Sequence, residues 1–338
     1  MAQWVQVAPC EDPARRRLLA AGAAGLARGA LVPMPLIAGL TTAHAAPKAW
    51  PRGTVRIWVA YPPGGVSDLV ARVLAEQMTQ QLGVPVIVDN RPGASGTLVI
   101  DLLNRSAPDG QTLAFTAATA VALRSAAMVR HTADSGLPML AVVPVAGVMR
   151  TPILLVGTQA LRARNFADLL TEARQKPDGI RWATTGEGTT GHTVLKRVEQ
   201  AAGVSIVHVP YKGGGQQLTD ALAGHFEVLS TNVAPSQIEA LREGKFKALA
   251  VGAPERLPVL PNVPTLAELG FAQANLDSLF GLFAPLGTPT GVVQRINQVV
   301  AKVLQSPEIR SRLLAANNQP FVGSPEAFLQ QVVRESGR

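Results

Sequence analysis

The sequence predicts an α/β protein long enough for two packed lobes, on three observations. Short apolar segments alternate with amphipathic helical stretches along most of the chain, the pattern of parallel strand–helix layers. Glycine-rich turns join several of those strands directly to helices. The length, 338 residues at 47% hydrophobic and 16% charged, suffices for two hydrophobic cores.

Taken in order, the strand candidates are Val55–Ala60, Pro85–Asp89, Thr112–Thr116, Pro152–Gly157, Arg181–Thr184, Ser205–Val209, Glu227–Ser230 and Lys247–Gly252. Most are runs rich in β-branched or apolar residues with Gly, Pro, Asn or Asp close to at least one end. The helix after Ser67 carries Val70, Val73, Leu74 and Met78 at helical spacing, a one-sided apolar stripe. Asn165 with Asp168 resembles a capping box ahead of Leu169, Leu170 and Ala173. Ser306-Pro307-Glu308 and Ser324-Pro325-Glu326 each read as a serine N-cap followed by proline at the first helical position. The proline-dense segment Ala253–Pro264 belongs inside neither sheet nor helix, and is expected to run over a surface before a helical C-terminal part. Trp58 and Trp182, both on strand candidates, are expected in cores.

The N-terminus reads as an export signal spanning residues 1–45. Arg15-Arg16-Arg17-Leu18-Leu19 leads a small-residue apolar run to Leu40, and Ala43-His44-Ala45 has the form of a cleavage site. The arginine pair resembles a twin-arginine signal, with general secretion as the alternative route. A retained membrane anchor is the competing reading, against which Arg28, Pro33 and Pro35 interrupt the run. Cys10, the single cysteine, would be lost on cleavage, leaving neither a disulfide nor a thiolate ligand. The expectation is a free soluble protein outside the cytoplasm.

Charge narrows the partners. The whole chain is +8; the first 45 residues carry four arginines against Glu11 and Asp12, which leaves +6 for the remainder. Such a surface weakly favours acidic ligands. With two tyrosines and no zinc-finger or RNP-like pattern, stacking platforms for bases are missing, so nucleic acid is not an expected partner. The histidines at 44, 131, 192, 208 and 225 show no ligand spacing, and neither metal nor cofactor is expected.

Three turns are the candidate chemistry: Tyr61–Asp68, Thr184–His192 and Tyr211–Gly215. Each follows a strand and opens a helix, so each can present unpaired backbone N–H groups and the positive end of a helix dipole to an anion. Ordinary tight turns are the plain alternative. Gly186-Glu187-Gly188-Thr189-Thr190-Gly191 formally matches a dinucleotide fingerprint, but the next strand ends at Val209-Pro210-Tyr211 with no acid for a ribose. Asp68 and His192, at the heads of their helices, read as loop clamps; the competing reading joins Ser67 and His192 in a secreted serine hydrolase, although no GxSxG elbow occurs. Lys212 could reach a carboxylate or simply be solvated.

Several motifs together resemble the tripartite tricarboxylate transporter receptor (Bug-type) family. They are Tyr61-Pro62-Pro63-Gly64-Gly65 with Asp68, Asp89-Asn90-Arg91-Pro92-Gly93-Ala94-Ser95-Gly96, Ala107-Pro108-Asp109-Gly110, Pro210-Tyr211-Lys212-Gly213-Gly214, Leu260-Pro261-Asn262-Val263-Pro264-Thr265 and Leu279-Phe280-Gly281-Leu282-Phe283-Ala284-Pro285 with Gly287-Thr288-Pro289. Each is weak alone; the ordered set spans almost the whole mature chain. The resemblance implies a type II periplasmic-binding-protein (Venus-flytrap) architecture, residues 46–150 plus 248–338 forming one lobe and 151–247 the other. It implies a monomeric, non-enzymatic receptor that captures a small carboxylate and delivers it to membrane permease subunits, or, in orphan members, serves sensing. Its ligand residues map onto Tyr61, Gly64, Gly65, Ser67 and Asp68, then Thr184, Thr185, Gly186, Gly188, Thr189 and His192, then Tyr211, Lys212, Gly213, Asn232 and Ser278. The chain departs from the family pattern at Glu187, between loop glycines, at Thr231 before the cleft asparagine, and at Leu279, where many relatives have an aromatic residue. An inward Glu187 would favour an amine or hydroxyl; an outward one is a solvated charge.

Overall fold

The structure, a computed structural model, describes residues 50–129 and 140–336. The expected export signal, with Cys10 and His44, and also His131, lie outside the described residues.

Among the described residues, ten strands form one mixed sheet. They are β1 (Val55–Val59), β2 (Val86–Asn90), β3 (Thr112–Ala117), β4 (Val143–Gly157), β5 (Arg181–Thr184), β6 (Val207–Pro210), β7 (Val228–Asn232), β8 (Lys247–Gly252), β9 (Asp277–Ala284) and β10 (Gln319–Pro320). The order is β2-β1-β3-β9-β4-β7-β5-β6, with β8 and β10 also pairing with β4. Within each lobe the βα repeats make parallel pairs, β1 with β2 and β3, and β5 with β6 and β7. Across the middle the pairing turns antiparallel, because β9 runs against both β3 and β4.

Strand β4 belongs to both lobes. Its first part, Val143 to Pro152, pairs with β9; from Ile153 it pairs with β7 and β8. The sequence reading places the start of this strand at Pro152; the structure begins it nine residues earlier, at Val143. The return crossing β9 lay in the stretch expected to be helical. Its eight residues carry a nearly continuous apolar run, Leu279 to Ala284, all buried.

The expected return to the first lobe at residue 248 comes later. β8 pairs with β4 in the second lobe, and Leu249, Ala250, Leu266, Ala274 and Leu276 share a core with Trp182, Val194 and Val198. Only at β9 does the chain rejoin the first lobe. The proline-dense segment 253–264 covers the other face of the second lobe, burying Leu257 and Val263 against Phe226, Ile238 and Phe246.

The helices are α1 (Val66–Leu82), α2 (Thr97–Leu103), α3 (Ala118–Val129), α4 (Phe166–Gln175), α5 (Thr190–Ala202), α6 (Gly214–Leu222), α7 (Pro235–Arg242), α8 (Thr290–Gln305), α9 (Pro307–Ala315) and α10 (Pro325–Ser336). The stripe read on α1 is the face it buries: Val70, Leu74 and Met78 are enclosed, and Val73 packs at the margin with Ile57, Phe115 and Val299. At α4 the Asn165 side chain accepts from the Asp168 N–H at 2.9 Å, whereas the Asp168 carboxylate accepts from Arg164, one residue ahead of the cap. Ser324 caps α10 through the Ala327 N–H; Ser306 makes no such bond at α9. Trp182 is fully buried and Trp58 half-buried, as core residues.

Candidate functional site

The βα turns of both lobes face each other across a cavity of about 230 Å³. Five helices turn their N-termini toward it. Gly64, Gly65, Val66 and Ser67 line it from α1, and Ala117 and Thr119 from α3; Thr189, Thr190 and Gly191 from α5, Gly214 and Gly215 from α6, and Ala234, Ser236 and Gln237 from α7 complete the ring. Ile153, Leu218 and Phe280 add an apolar middle. No Lys, Arg, His, Asp or Glu side chain is among the lining residues. The first N–H groups of a helix have no intrahelical acceptor, and each N-terminus carries roughly half a positive charge. The lining therefore offers an anion helix N-termini and N–H donors, with no cationic side chain among the described lining residues.

The first-lobe turn is held from behind. Gly64, at φ 80, donates its N–H to Asp68 Oδ2 at 3.0 Å. Asn90, at the end of β2, donates to Asp68 Oδ1 at 2.9 Å and to the Tyr61 carbonyl at 3.0 Å. Arg72 bonds the same carboxylate at 3.1 Å. Burial pushes the Asp68 carboxyl upward, but the bonds from Arg72, Gly64 and Asn90 outweigh it and hold the group below its ordinary value. Tyr61 reaches inward: its hydroxyl accepts from the Ala117 N–H at 3.3 Å, and burial raises its pKa.

The second-lobe turn is tied by its own threonines. Thr184 Oγ1 accepts from the Gly186 N–H at 3.1 Å, and the Thr189 hydroxyl donates to the Gly186 carbonyl at 2.7 Å while capping α5 through the His192 N–H. His192 Nδ1 accepts from the Gly188 N–H at 3.1 Å.

Of the residues expected to bind ligand, Tyr61, Gly64, Gly65, Ser67, Thr185, Thr189, Asn232 and Ser278 line the cavity. Asp68, Thr184 and His192 stand behind the wall as supports. Gly186, Gly188 and Gly213 face the other lobe: a Cβ on them would lie 2.5 Å from Ser95 Oγ, 2.9 Å from Leu123 Cδ2 and 2.6 Å from Pro62 Cδ. Tyr211 turns away, donating to Asp220 Oδ2 at 2.7 Å and meeting Phe226 edge-on; burial and Asp220 push its pKa up to about 12. Lys212 is exposed and outside the lining, as is Glu187. No hydrogen bond joins Ser67 to His192 among the described residues.

Sequence reasoning missed the α3 and α7 contributions. Ala234-Pro235 after β7 is the same proline-at-N1 signature that marked α9 and α10, and could have placed the α7 terminus. Thr119 follows β3 without a glycine turn, so nothing local flagged it.

Two βα lobes joined by crossing strands, with an anion-ready cavity between them, define a solute-binding protein of the periplasmic-binding-protein fold. A family model described as "Tripartite tricarboxylate transporter family receptor" matches residues 70–338, and the chain belongs to that family of periplasmic solute-binding receptors. Among its relatives, protein BugT of Bordetella pertussis is 30% identical over 85% of this chain and 90% of its own. Two solved structures from Rhodopseudomonas palustris are each 30% identical with a TM-score of 0.75. "Rpa4515 with adipate" is matched over 86% of this chain and 96% of its own, and "MatC (Rpa3494) with bound malate" over 86% and 98%.

Proposed function

We propose that the cleft captures a small organic carboxylate and that closure of the lobes presents it to the permease subunits of a tripartite transporter. The observation that carries this is the ring of five helix N-termini with no charged side chain among the residues lining the cavity. Charge-assisted hydrogen bonds from backbone N–H groups and hydroxyls contribute roughly 1.5–3 kcal/mol each before desolvation is subtracted. Adipate and malate in two relatives are ligands of the same chemistry.

Ser67, Thr185 and Thr189 with Gly64 and Gly65 are the proposed anion donors, and Asn232, Ser278 and Tyr61 the orienting groups. The proposed moving bodies are residues 50–150 with 277–336, and residues 153–276. The receptor is proposed to act as a periplasmic monomer, exported by a signal in its first 45 residues, and to bind without chemical turnover: among the described residues no base is bonded to Ser67, and His192 Nδ1 is engaged by Gly188.

Thermal unfolding of the chain freed of its first 45 residues tests the reading. Malate, adipate and other carboxylates are compared with amines and neutral analogues. A carboxylate at about a hundred times its Kd adds roughly 2.7 kcal/mol, a midpoint shift of several degrees. Stabilisation by amines alone, or by none of a broad carboxylate panel, overturns it.

A further inference from the structure

Behind the second-lobe turn two imidazoles lie face to face. The rings of His192 and His208 are 4.3 Å apart and within 19° of parallel. Each ring holds one part of the turn. His192 Nδ1 accepts from the Gly188 N–H at 3.1 Å, which requires a neutral ring with its proton on Nε2. His208 Nε2 lies 2.8 Å from Thr184 Oγ1, the oxygen that accepts from the Gly186 N–H. Gly186 and Gly188 are also the points at which the turn meets Ser95 and Leu123 of the first lobe. The histidine pair therefore supports one side of the lobe–lobe contact.

We propose that protonation of this stacked pair makes solute capture acid-sensitive, releasing the second-lobe turn and with it the bound solute. This rests on the receptor reading above. A proton on His192 Nδ1 sets two donors head to head, N–H against N–H, so the Gly188 bond is lost. Two imidazolium rings in stacking contact repel, so the pair takes protons one at a time. The charges around the pair come from every side. Glu187 in the turn and Glu199 on α5 favour the charged form; Lys196 on α5, the neighbouring ring and burial oppose it. Position 192 also sits in the first turn of α5, where the helix dipole disfavours a cation. Arg197 of α5 points its guanidinium at the Gln273 carbonyl. From α10, Glu335 faces the same region across a second cavity of about 170 Å³ that Gly188 and Thr193 also line. Opposition prevails: burial holds His192 below its ordinary value, and burial with the adjacent ring lowers His208 to about 4.

The sign follows from these depressions. The closed turn prefers neutral rings, so its stabilisation is complete above the ordinary histidine value. It is lost as the pH falls from about 6.5 toward about 4.

The test is calorimetric titration with malate and with adipate at about pH 7.5 and about pH 5. His192→Asn offers an acceptor near the Nδ1 position that does not titrate, and His208→Gln places a non-titrating amide near Thr184 Oγ1. Each protein is compared with itself at the two pH values, so ligand protonation is common to all. The unmodified protein is expected to lose at least about fivefold more affinity than His192→Asn, while His208→Gln, in which His192 still titrates, keeps an acid-dependent loss. Equal losses overturn the switch. Amide exchange of Gly186 and Gly188 in the ligand-free protein, corrected for intrinsic rates, provides a second readout. Protection is expected to fall with pH in the unmodified protein and to hold in His192→Asn; identical profiles overturn the proposal. If neither acid binds at about pH 7.5, the ligand class proposed above is wrong for both, and the exchange profile still decides the switch.

Discussion

A single carboxylate organises the first-lobe turn. Asp68, with its side chain 4% exposed, receives bonds from Gly64, Asn90 and Arg72 and lines no part of the cavity. Asp68→Asn places an amide against the Arg72 and Asn90 donors. It is expected to destabilise the protein by about 1–3 kcal/mol at neutral pH. Because the native carboxyl is held below its ordinary value, this stabilisation is present above that value and lost as the pH falls through the lowered one. Denaturant melts of both proteins should therefore differ at neutral pH and converge in acid; a gap independent of pH would assign the loss to packing instead. The clamp roles of Asp68 and His192 were legible in the sequence because a polar side chain at a helix head has few local alternatives. Tyr211 was not. Its partner Asp220 lies on the following helix, and only the packed geometry directs the phenol there rather than into the cleft. Glu187 was open on sequence grounds and is settled by its exposure.

At the scale of elements, the strand–turn–helix units were legible because each is specified locally, by an apolar run, a glycine and a periodic stripe. β9 and the first half of β4 were not: Pro144, Gly147 and Pro152 interrupt β4, Gly281 interrupts β9, and long-range pairing overrides them. The glycines of the second-lobe turn show a related limit. Their presence was evident, but Gly186 and Gly188, with Gly213 in the following turn, are where the first lobe approaches. This gives a test at the Gly188 contact. Leu123 is 40% exposed, so Leu123→Trp should leave ligand-free stability within about 0.5 kcal/mol of the parent. The indole would collide with Gly188 on closure, so malate affinity is expected to fall about tenfold or more. X-ray scattering should report a more open molecule at saturating ligand. Unchanged affinity would mean that the lobes close without this contact.

For the whole molecule, the charge of the ligand is met by dipoles and hydrogen bonds. Among the described residues lining the cavity there is no charged side chain, although the full chain carries a formal +8. Enclosed dipoles are screened far less than exposed cations, so malate affinity is expected to change less than about threefold between about 50 and about 500 mM sodium chloride. A steep fall with salt would point to a cationic side chain entering the cleft on closure. The lobe boundary was legible only as two crossings, not as their positions, because a crossing strand carries the same apolar code on either side of the cleft. The place of β9, between β3 and β4, has a consequence for assembly during synthesis. Residues 153–276 are contiguous and complete their own sheet and cores as soon as they are made. The first lobe, begun earlier, waits with β3 and β4 unpaired along one edge until Asp277–Ala284 arrives from the last fifth of the chain. The lobe made first is therefore the lobe finished last, and during that interval the nascent receptor carries a gap at the centre of its sheet, bounded by apolar strands and open to any chain able to pair there.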